Sequence, residues 1–471
     1  MLHPVDSASC PSIPETALAS LRALLGDRFS TAPGIREHHG RDESPFPLTA
    51  PDAVALARSA EEISALMKIA NAHRIPVIPY GAGSSVEGQI LAVRGGISLD
   101  LSQMDRIVQV NADDMTATVQ AGVRRLALNE AVRHAGLFFP VDPGADATLG
   151  GMCATRASGT NAVRYGTMRE NVLALTVVLA DGRVLRLGTR ARKSSAGYDL
   201  TRLMLGSEGT LGVITEVTLR LHPLPTAVSA AVCAFPTVQQ AVRTAIEIMQ
   251  SGIPIARCEL LDTNAVRAVN RHDQLQLREA PMLLMEFHGS DTAVQEQAQM
   301  VEELAEDNNG ERFEWATTPE TRSRLWTARH HAYLAALQTR PGCRSVTTDA
   351  CVPISELACN IDHAVADAEA AGIPYFIVGH VGDGNFHMGY LIDPSLENER
   401  AVAEQLNREL VRRAIASGGT CTGEHGIGLH KMDFLIEEAG LDPVQVMASI
   451  KRVMDPNNVL NPGKIFALAL D

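Results

Sequence analysis

The chain lacks a basic excess. Its 41 Lys and Arg residues are outnumbered by 55 Asp and Glu, for a formal net charge of −14 at neutral pH. That balance argues against nucleic acid as a partner, because neutralising phosphates needs a basic face. A small anion could still be held in a local basic pocket. Long apolar runs are also missing. Leu173–Ala180 and Ala227–Phe235 stop far short of the roughly 20 residues a membrane span requires. No transmembrane segment is therefore expected, and any membrane contact would be peripheral. Met1–Pro14 shows neither the basic-then-apolar pattern of a secretory signal nor the Arg-rich pattern of a mitochondrial transit peptide. The eight cysteines, at 10, 153, 233, 258, 343, 351, 359 and 421, form no CxxC pair. Their spacing excludes a zinc ribbon, a thioredoxin motif and a cysteine-run iron–sulfur cluster, and it fits reduced thiols in a cytoplasmic protein. No repeat of solenoid period and no low-complexity tract is found.

What remains is an ordinary globular composition, 45% apolar and 20% charged, in a chain of 471 residues. That length accommodates two or three domains. A short helix is expected at 15–30 and a strand at Val54–Arg58. Ser59-Ala60-Glu61-Glu62 reads as a capping box opening a helix to about His73. Pro76–Tyr80 reads as a strand, with further strands at 97–101, 107–110 and 116–121. Leu173–Ala180 and Val184–Leu187 flank the turn pair Asp181-Gly182. Gly212–Leu221 alternates like a half-buried strand. His222-Pro223-Leu224-Pro225 then punctuates the chain as a domain boundary. Beyond it, strands near 228–235, 256–262, 282–288, 345–352 and 375–379 alternate with helices near 237–251, 291–306, 319–339 and 355–371. This pattern predicts an α+β layer, a sheet covered on one face. A helix near 396–416 follows, then two short helices and the loop Asp455–Lys464.

The chemistry-bearing residues concentrate near the C-terminus. Gly379-His380-Val381-Gly382-Asp383-Gly384-Asn385-Phe386-His387 is followed by Gly423-Glu424-His425-Gly426. Two histidines and a carboxylate presented from glycine-rich turns suit a catalytic divalent metal with positions left open. The histidine after the carboxylate could stand beside the metal as a base. Zinc, manganese and ferrous iron all tolerate such a set.

Three small-residue segments mark the first half. Pro79 leads from a strand into Gly81-Ala82-Gly83-Ser84-Ser85-Val86-Glu87-Gly88, whose backbone N–H groups and hydroxyls could converge on an anion. It is neither GxGxxG nor a P-loop. The second segment contains Pro143, Gly144, Asp146, Thr148, Gly150, Gly151, Ala154, Thr155, Ser158, Gly159 and Gly166. The third contains Glu208, Gly209, Gly212 and Ile214 and feeds into a strand. Stretches this poor in bulk pack badly as core and are expected to line something flat and large.

In this order and spacing the three segments resemble the FAD-binding domain of the vanillyl-alcohol oxidase/para-cresol methylhydroxylase flavoproteins. With the C-terminal motifs added, the chain resembles the FAD-linked D-lactate dehydrogenase (cytochrome type) and glycolate oxidase branch, from about residue 45 to the end. The resemblance implies an α+β fold with a two-subdomain FAD-binding domain of the para-cresol methylhydroxylase type and a ferredoxin-like substrate cap. The expected divisions are an N-terminal helical segment 1–45, an FAD domain 46–225, a cap with a metal site 226–425, and a segment 426–471 returning to the FAD domain. The FAD pyrophosphate would lie near Gly81–Ser85 and Gly150–Ala154. The first glycine loop has no histidine to tether the flavin, so a non-covalent FAD is expected. The family pattern further implies His380, His387 and Glu424 as metal ligands (zinc or manganese), His425 as base, Arg329 as the clamp on a substrate carboxylate, and Asn461 near substrate or flavin.

The implied reaction is metal-assisted oxidation of a D-2-hydroxy acid, D-lactate foremost, to the 2-oxo acid pyruvate. D-2-hydroxyglutarate dehydrogenase and the FAD subunit of a glycolate oxidase are alternatives. Relatives that oxidise D-2-hydroxyglutarate carry a lysine where Thr347 stands here, which favours a monocarboxylate. Electrons would leave to a separate acceptor: a cytochrome, a quinone, an electron-transfer flavoprotein or an iron–sulfur partner. A homodimer is the expected assembly. From a different class, a metal-dependent hydrolase could use the same His/His/Glu set, but it would have no use for the three small-residue segments.

Overall fold

In the computed structural model, residues 13–467 are described. Cys10 and nearly all of Met1–Pro14 lie outside the described residues. The chain forms two compact units. The first comprises residues up to Ser158, Gly166–Leu224 and Glu424 onward; the second comprises Gly159–Tyr165 and Pro225–Gly423. Among the described residues, no helix is long and apolar enough to cross a membrane.

The first unit contains two main sheets. In the four-stranded one, Ala53–Leu56, Ile97–Asp100 and Val77–Tyr80 lie side by side and parallel, with Phe29–Ser30 on the outer edge. Unbroken apolar runs such as Ala53-Val54-Ala55 suit parallel strands, which are covered on both faces. The helix Ala60–His73 connects two of them and shares a core with the helix Glu15–Leu25 through Leu21, Leu25, Leu66 and Met67. Residues 15–45 thus belong to this unit rather than standing apart. Only half of the expected capping box forms. Ser59 Oγ accepts from Glu62 N at 3.3 Å, while the Glu62 carboxylate turns to Arg28 (2.6 and 2.7 Å) and the Arg58 N–H. A bidentate guanidinium is the stronger partner.

The second sheet is antiparallel, in the order Ile107–Asn111, Thr116–Gln120, Val213–Arg220, Val172–Val178, Val184–Gly188. Val213–Arg220 was expected to be half-buried, but it is central and covered on both faces. Its buried polar positions are threonines whose hydroxyls are satisfied inside: Thr215 Oγ1 donates to Thr176 O at 3.1 Å, and Thr218 Oγ1 meets Thr118 Oγ1 at 2.9 Å. Beyond the helices Met432–Ala439 and Leu441–Met454, the chain returns to this unit. Leu460 bridges Val77 in parallel, and Asn461 N donates to Val77 O at 2.9 Å.

The second unit is one antiparallel sheet in the order Glu311–Ala316, Ala227–Ala234, Met282–Gly289, Ile255–Leu261, Tyr375–His380, Asn385–Ile392, Arg344–Thr347, with Ala350–Cys351 also paired to Asn385–Ile392. It is covered on both faces, not on one as its pattern suggested. The helices Thr263–Asp273 and Pro319–Gln338 share a core with Ala230, Val232 and Leu284. The alternate residues Ala231, Cys233, Leu283 and Met285 are buried as well, where the helices Val238–Gln250, Asp291–Asp307 and Leu357–Ala371 pack.

Two stability tests follow from the first unit. Lys451 Nζ is buried and donates to Thr210 O (2.8 Å), Leu460 O (2.7 Å) and the Asp455 carboxylate, which in turn accepts from Val459 N and Leu460 N. Lys451→Met would leave a buried carboxylate uncompensated, at a cost of about 3–5 kcal/mol. Urea denaturation of the holoprotein reads this directly, and a loss below about 1 kcal/mol would contradict the bridging role. The second test concerns His222, whose Nε2–H donates to Asn171 Oδ1 at 2.9 Å. Burial first, then Arg220 and Arg192, pull its pKa down to about 4. A histidine neutral in the fold but protonated in the unfolded chain stabilises above the unfolded pKa, and that contribution is lost as pH falls from about 6.5 toward 4. Stability should drop by roughly 1–2 kcal/mol over that window, and His222→Gln should flatten the drop.

Candidate active site

In the first unit a narrow cleft runs where the two sheets approach. It is lined by Pro79, Gly81, Thr148, Gly150, Gly151, Ala154, Gly209, Gly212 and Ile214, all expected from the sequence, and by Tyr80, Leu101 and Ala121, which were not. The cleft depends on missing side chains. A Cβ on Gly81 would stand 2.4 Å from Thr148 Oγ1, one on Gly150 2.6 Å from Ala121 Cβ, and one on Gly212 2.4 Å from Val177 Cγ1. Thr148 caps the short helix Leu149–Thr155 by accepting from Gly151 N at 3.3 Å. A small-residue slot with a helix start on its wall fits a long, flat, phosphate-bearing group such as FAD.

The other expected flavin residues do not line this cleft. Ala82, Gly83 and Ser84 sit in the first loop, where Gly83 (φ +73°) packs against the Tyr80 hydroxyl. Ser85 Oγ donates to Asp42 Oδ2 at 3.1 Å. Gly88 (φ +80°) lies against Phe46 and Leu429. Pro143 and Gly144 belong to the loop before the short helix. Asp146 accepts from Leu126 N at 3.2 Å, and Thr155 Oγ1 donates to Gly151 O at 3.2 Å. Ser158 ends the unit's first stretch, Gly159 falls in the second unit, and Gly166 (φ +76°) makes a turn against Glu170.

Glu208 and Asn461 act as brackets. Glu208 is buried, and its two carboxylate oxygens accept from Ile427 N (2.7 Å) and Gly428 N (2.8 Å). Burial pushes its pKa up to about 7 despite those bonds. Asn461 donates from its side-chain amide to Gln89 O (2.9 Å) and Glu208 O (2.7 Å) and accepts from Lys464 Nζ (3.2 Å). The amide is thus engaged in tying the first loop to the third segment, not presented to a ligand.

The expected base, His425, is held by residues of the first glycine loop. Gln89 Nε2 donates to its carbonyl at 2.7 Å, and Glu87 Oε1 lies 3.5 Å from its Nδ1. Glu87 also meets His430 Nδ1 (2.9 Å) and Lys431 Nζ (3.0 Å). Burial opposes its ionisation, but Lys431, His425 and His430 outweigh this and hold the carboxyl well below its usual range. No role for Glu87 was read from the sequence, although a lone carboxylate inside a glycine loop is a visible signal.

The second unit gathers His380, His387 and Arg329 around a residue the sequence reading missed, Glu259. His380 Nδ1 donates to Glu259 Oε1 at 2.7 Å, and Arg329 Nε donates to Glu259 Oε2 at 2.7 Å. Burial alone would raise the Glu259 pKa; the charges of His380 and Arg329 reverse this and lower it. His387 Nδ1 donates to Thr348 O at 3.1 Å. The two buried rings stand edge to face with centroids 5.5 Å apart. Both acceptors can only accept, so both rings carry hydrogen on Nδ1, which in the neutral ring leaves the lone pair on Nε2. This is the orientation second partners impose on metal-ligating imidazoles. Arg329 keeps its Nη edge for a planar anion, because its Nε is committed to Glu259. His387 lies on the strand Asn385–Ile392, which the sequence reading did not resolve as a strand. Glu424 follows Gly423 directly in the chain, and a Cβ at Gly423 would stand 2.2 Å from Asn385 Nδ2.

Residues 51–188 match the FAD binding domain family, and 224–465 match the C-terminal domain of FAD linked oxidases. The chain belongs to the FAD-linked oxidase family. It is 50% identical to probable D-lactate dehydrogenase, mitochondrial, of Danio rerio over 458 residues, covering 96% of this chain and 92% of that one. It is 45% identical to D-lactate dehydrogenase (cytochrome), mitochondrial, of Arabidopsis thaliana over 96% of this chain and 80% of that one. With glycolate oxidase subunit GlcD of Bacillus subtilis it shares 34% identity over 94% of each chain. Among solved structures it superposes on p-cresol methylhydroxylase with a TM-score of 0.80 at 19% identity, covering 97% of this chain and 98% of that one. That likeness is one of fold: the FAD-binding domain is of the para-cresol methylhydroxylase type.

For an FAD-linked oxidase of this build, Glu259 is the testable hinge of the second unit. Glu259→Gln keeps the shape but cannot accept from both Arg329 and His380 as a charged group. A manganese or zinc ion held by the His380–His387 pair would bind about 10- to 100-fold more weakly, as read by equilibrium dialysis. FAD content should stay at the wild-type level. An unchanged affinity would remove Glu259 from the site.

Proposed function

We propose that this chain oxidises a D-2-hydroxy acid, D-lactate first, to the 2-oxo acid pyruvate, and hands the electrons to a separate acceptor. The observation that carries the reading is the buried Arg329–Glu259–His380 array, beside which His387 stands, in a chain that also holds an FAD-type cleft. The relatives named D-lactate dehydrogenase, up to 50% identical along nearly the whole chain, support it.

Each residue has a role its surroundings suit. Arg329 would hold the substrate carboxylate on its Nη edge. His425, steadied by Gln89 and Glu87, would take the proton of the 2-hydroxyl, work that imidazole chemistry suits near neutral pH. His380, His387 and Glu424 would hold a divalent metal, zinc or manganese, which when bound lowers the pKa of that hydroxyl. FAD, bound without a covalent tether along the first unit's cleft, supplies the acceptor for the hydride from C2. Thr347, neutral and hydrogen-bonded to Ser345 at 2.9 Å, offers no charge to a second carboxylate, which supports a monocarboxylate over D-2-hydroxyglutarate. Glycolate is the second candidate, on the likeness to the glycolate oxidase subunit.

A one-electron carrier such as a cytochrome is the acceptor we favour, in keeping with the names of the relatives. A quinone, an electron-transfer flavoprotein or an iron–sulfur partner would meet the same need. The cysteines, scattered and without a CxxC spacing, support a reducing, cytoplasmic setting, whereas several relatives carry "mitochondrial" in their names. A homodimer is proposed as the working assembly.

Anaerobic titration with D-lactate should bleach the flavin absorbance band, and L-lactate should not. A yellow protein that ignores D-lactate would sink the substrate reading and bring glycolate forward. A colourless protein that cannot be reconstituted with FAD would favour a metal-dependent hydrolase instead.

A further inference from the structure

The second unit carries another constellation of metal-binding side chains, which the proposed reaction does not use. His272 and Asp273 are the last two residues of the helix Thr263–Asp273, and His331 lies within the helix Pro319–Gln338, which packs against it. His272 Nδ1 and His331 Nδ1 each donate to the same oxygen, Asp273 Oδ1, both at 2.8 Å. The two rings stand 5.5 Å apart, centroid to centroid, at 73°. The other carboxylate oxygen, Asp273 Oδ2, is buried and has no hydrogen-bond partner among the described residues.

This arrangement satisfies the carboxylate unevenly, two donors on one oxygen and none on the other. A carboxylate in the last turn of a helix faces the partial negative charge of the terminal carbonyls, an end that favours cations. A buried carboxylate oxygen without a partner adds a desolvation cost. Burial opposes ionisation of Asp273, but the hydrogen bonds from His331 and His272 outweigh it and hold the carboxyl below its usual range; both fall on Oδ1 and leave Oδ2 unmatched. A divalent cation at the point where the three side chains converge would offset both.

We propose that His272, Asp273 and His331 form a divalent-cation site, built from a different residue set than the His380–His387 pair. Two imidazoles and one carboxylate suit a late first-row cation, zinc among them, with a water completing a tetrahedron. Binding is balanced without an oxidant or net proton release. In its neutral form each ring gives its Nδ1 lone pair to the cation while its hydrogen moves through solvent to Nε2, and the ionised Asp273 takes the cation through a carboxylate oxygen. The His331 side chain is 43% exposed and that of His272 23%, so a cation can enter from solvent. Once bound, it would clasp the end of one helix to the middle of another, two residues from Arg329.

The test uses the FAD-loaded protein, stripped with EDTA and dialysed to equilibrium against micromolar zinc, with bound metal counted by elemental analysis. Wild type should bind one equivalent more than His331→Ala and Asp273→Asn, and a His380→Ala/His387→Ala double variant should keep that equivalent. Zinc should also raise the melting temperature of the double variant by several degrees and leave that of His331→Ala, assayed in the same double-variant background, unmoved. Full stoichiometry in His331→Ala and Asp273→Asn, each with wild-type flavin absorbance, would overturn the site. So would loss of all bound zinc in the double variant. Neither result would touch the proposed D-lactate chemistry, which is read from flavin bleaching.

Discussion

A carboxylate with no access to water must be matched by charge or be lost from the fold, and Glu259 is matched on both oxygens. It sits on the central strand Ile255–Leu261 with almost no exposure, in a run whose only other charged residue is Arg257. Arg329 takes one oxygen and His380 the other, each at 2.7 Å. The consequences spread outward. The Arg329 guanidinium is turned so that only its Nη edge remains for a ligand. The His380 ring is fixed with Nδ1–H toward Glu259 and Nε2 turned away. A buried ion pair of this kind contributes little net stability, because desolvation offsets attraction. Its value is that it allows one orientation for each partner.

The first unit solves a different problem: three loops too poor in side chains to hold themselves must be held from outside. Glu208, Asn461 and Lys451 do this. Each places a buried polar group on backbone of a distant segment: Glu208 on Ile427 and Gly428, Asn461 on Gln89 and Glu208, Lys451 on Thr210 and Leu460. The returning C-terminal segment is therefore part of the cleft's construction. Glycines that keep the cleft open remove the packing that would otherwise fix its walls, and buried polar brackets replace it.

The sequence made much of this legible. Periodicity and turn residues located most strands and helices, and the order of the small-residue segments led to the cleft, where nine of the anticipated residues do line it. The misses have separate causes. Glu259 acts through residues far away in the chain, and nothing local distinguishes a paired buried carboxylate from a solvated one. The strand Asn385–Ile392 was hidden because Gly382, Asp383 and Gly384 dominate the reading of their neighbourhood as a turn. Coverage of the second unit's sheet on both faces was hidden because alanines fill positions such as Ala230 and Ala231, and small residues blur an alternating pattern. The backbone-bracketing work of Asn461, which the family pattern puts near substrate or flavin, had no sequence signal of its own.

The helix Pro319–Gln338 shows how these constraints combine. It has little amphipathic character, and much of what it buries is alanine: Ala328, Ala332, Ala335 and Ala336. Small buried residues permit close approach but resist sliding poorly, since they interlock less than branched side chains. Polar anchors supply the register. Arg322 donates to Val228 O, Arg329 is fixed on Glu259, and the Trp326 ring lies under Arg257 at 5.0 Å. His331 adds a contact on another side, since residues two apart on a helix point in nearly opposite directions. Arg329 thus looks to the sheet while His331 looks to the helix Thr263–Asp273. A helix held by polar contacts on two sides can keep an arginine in one place without a bulky core behind it. That placement is what a carboxylate-binding residue requires.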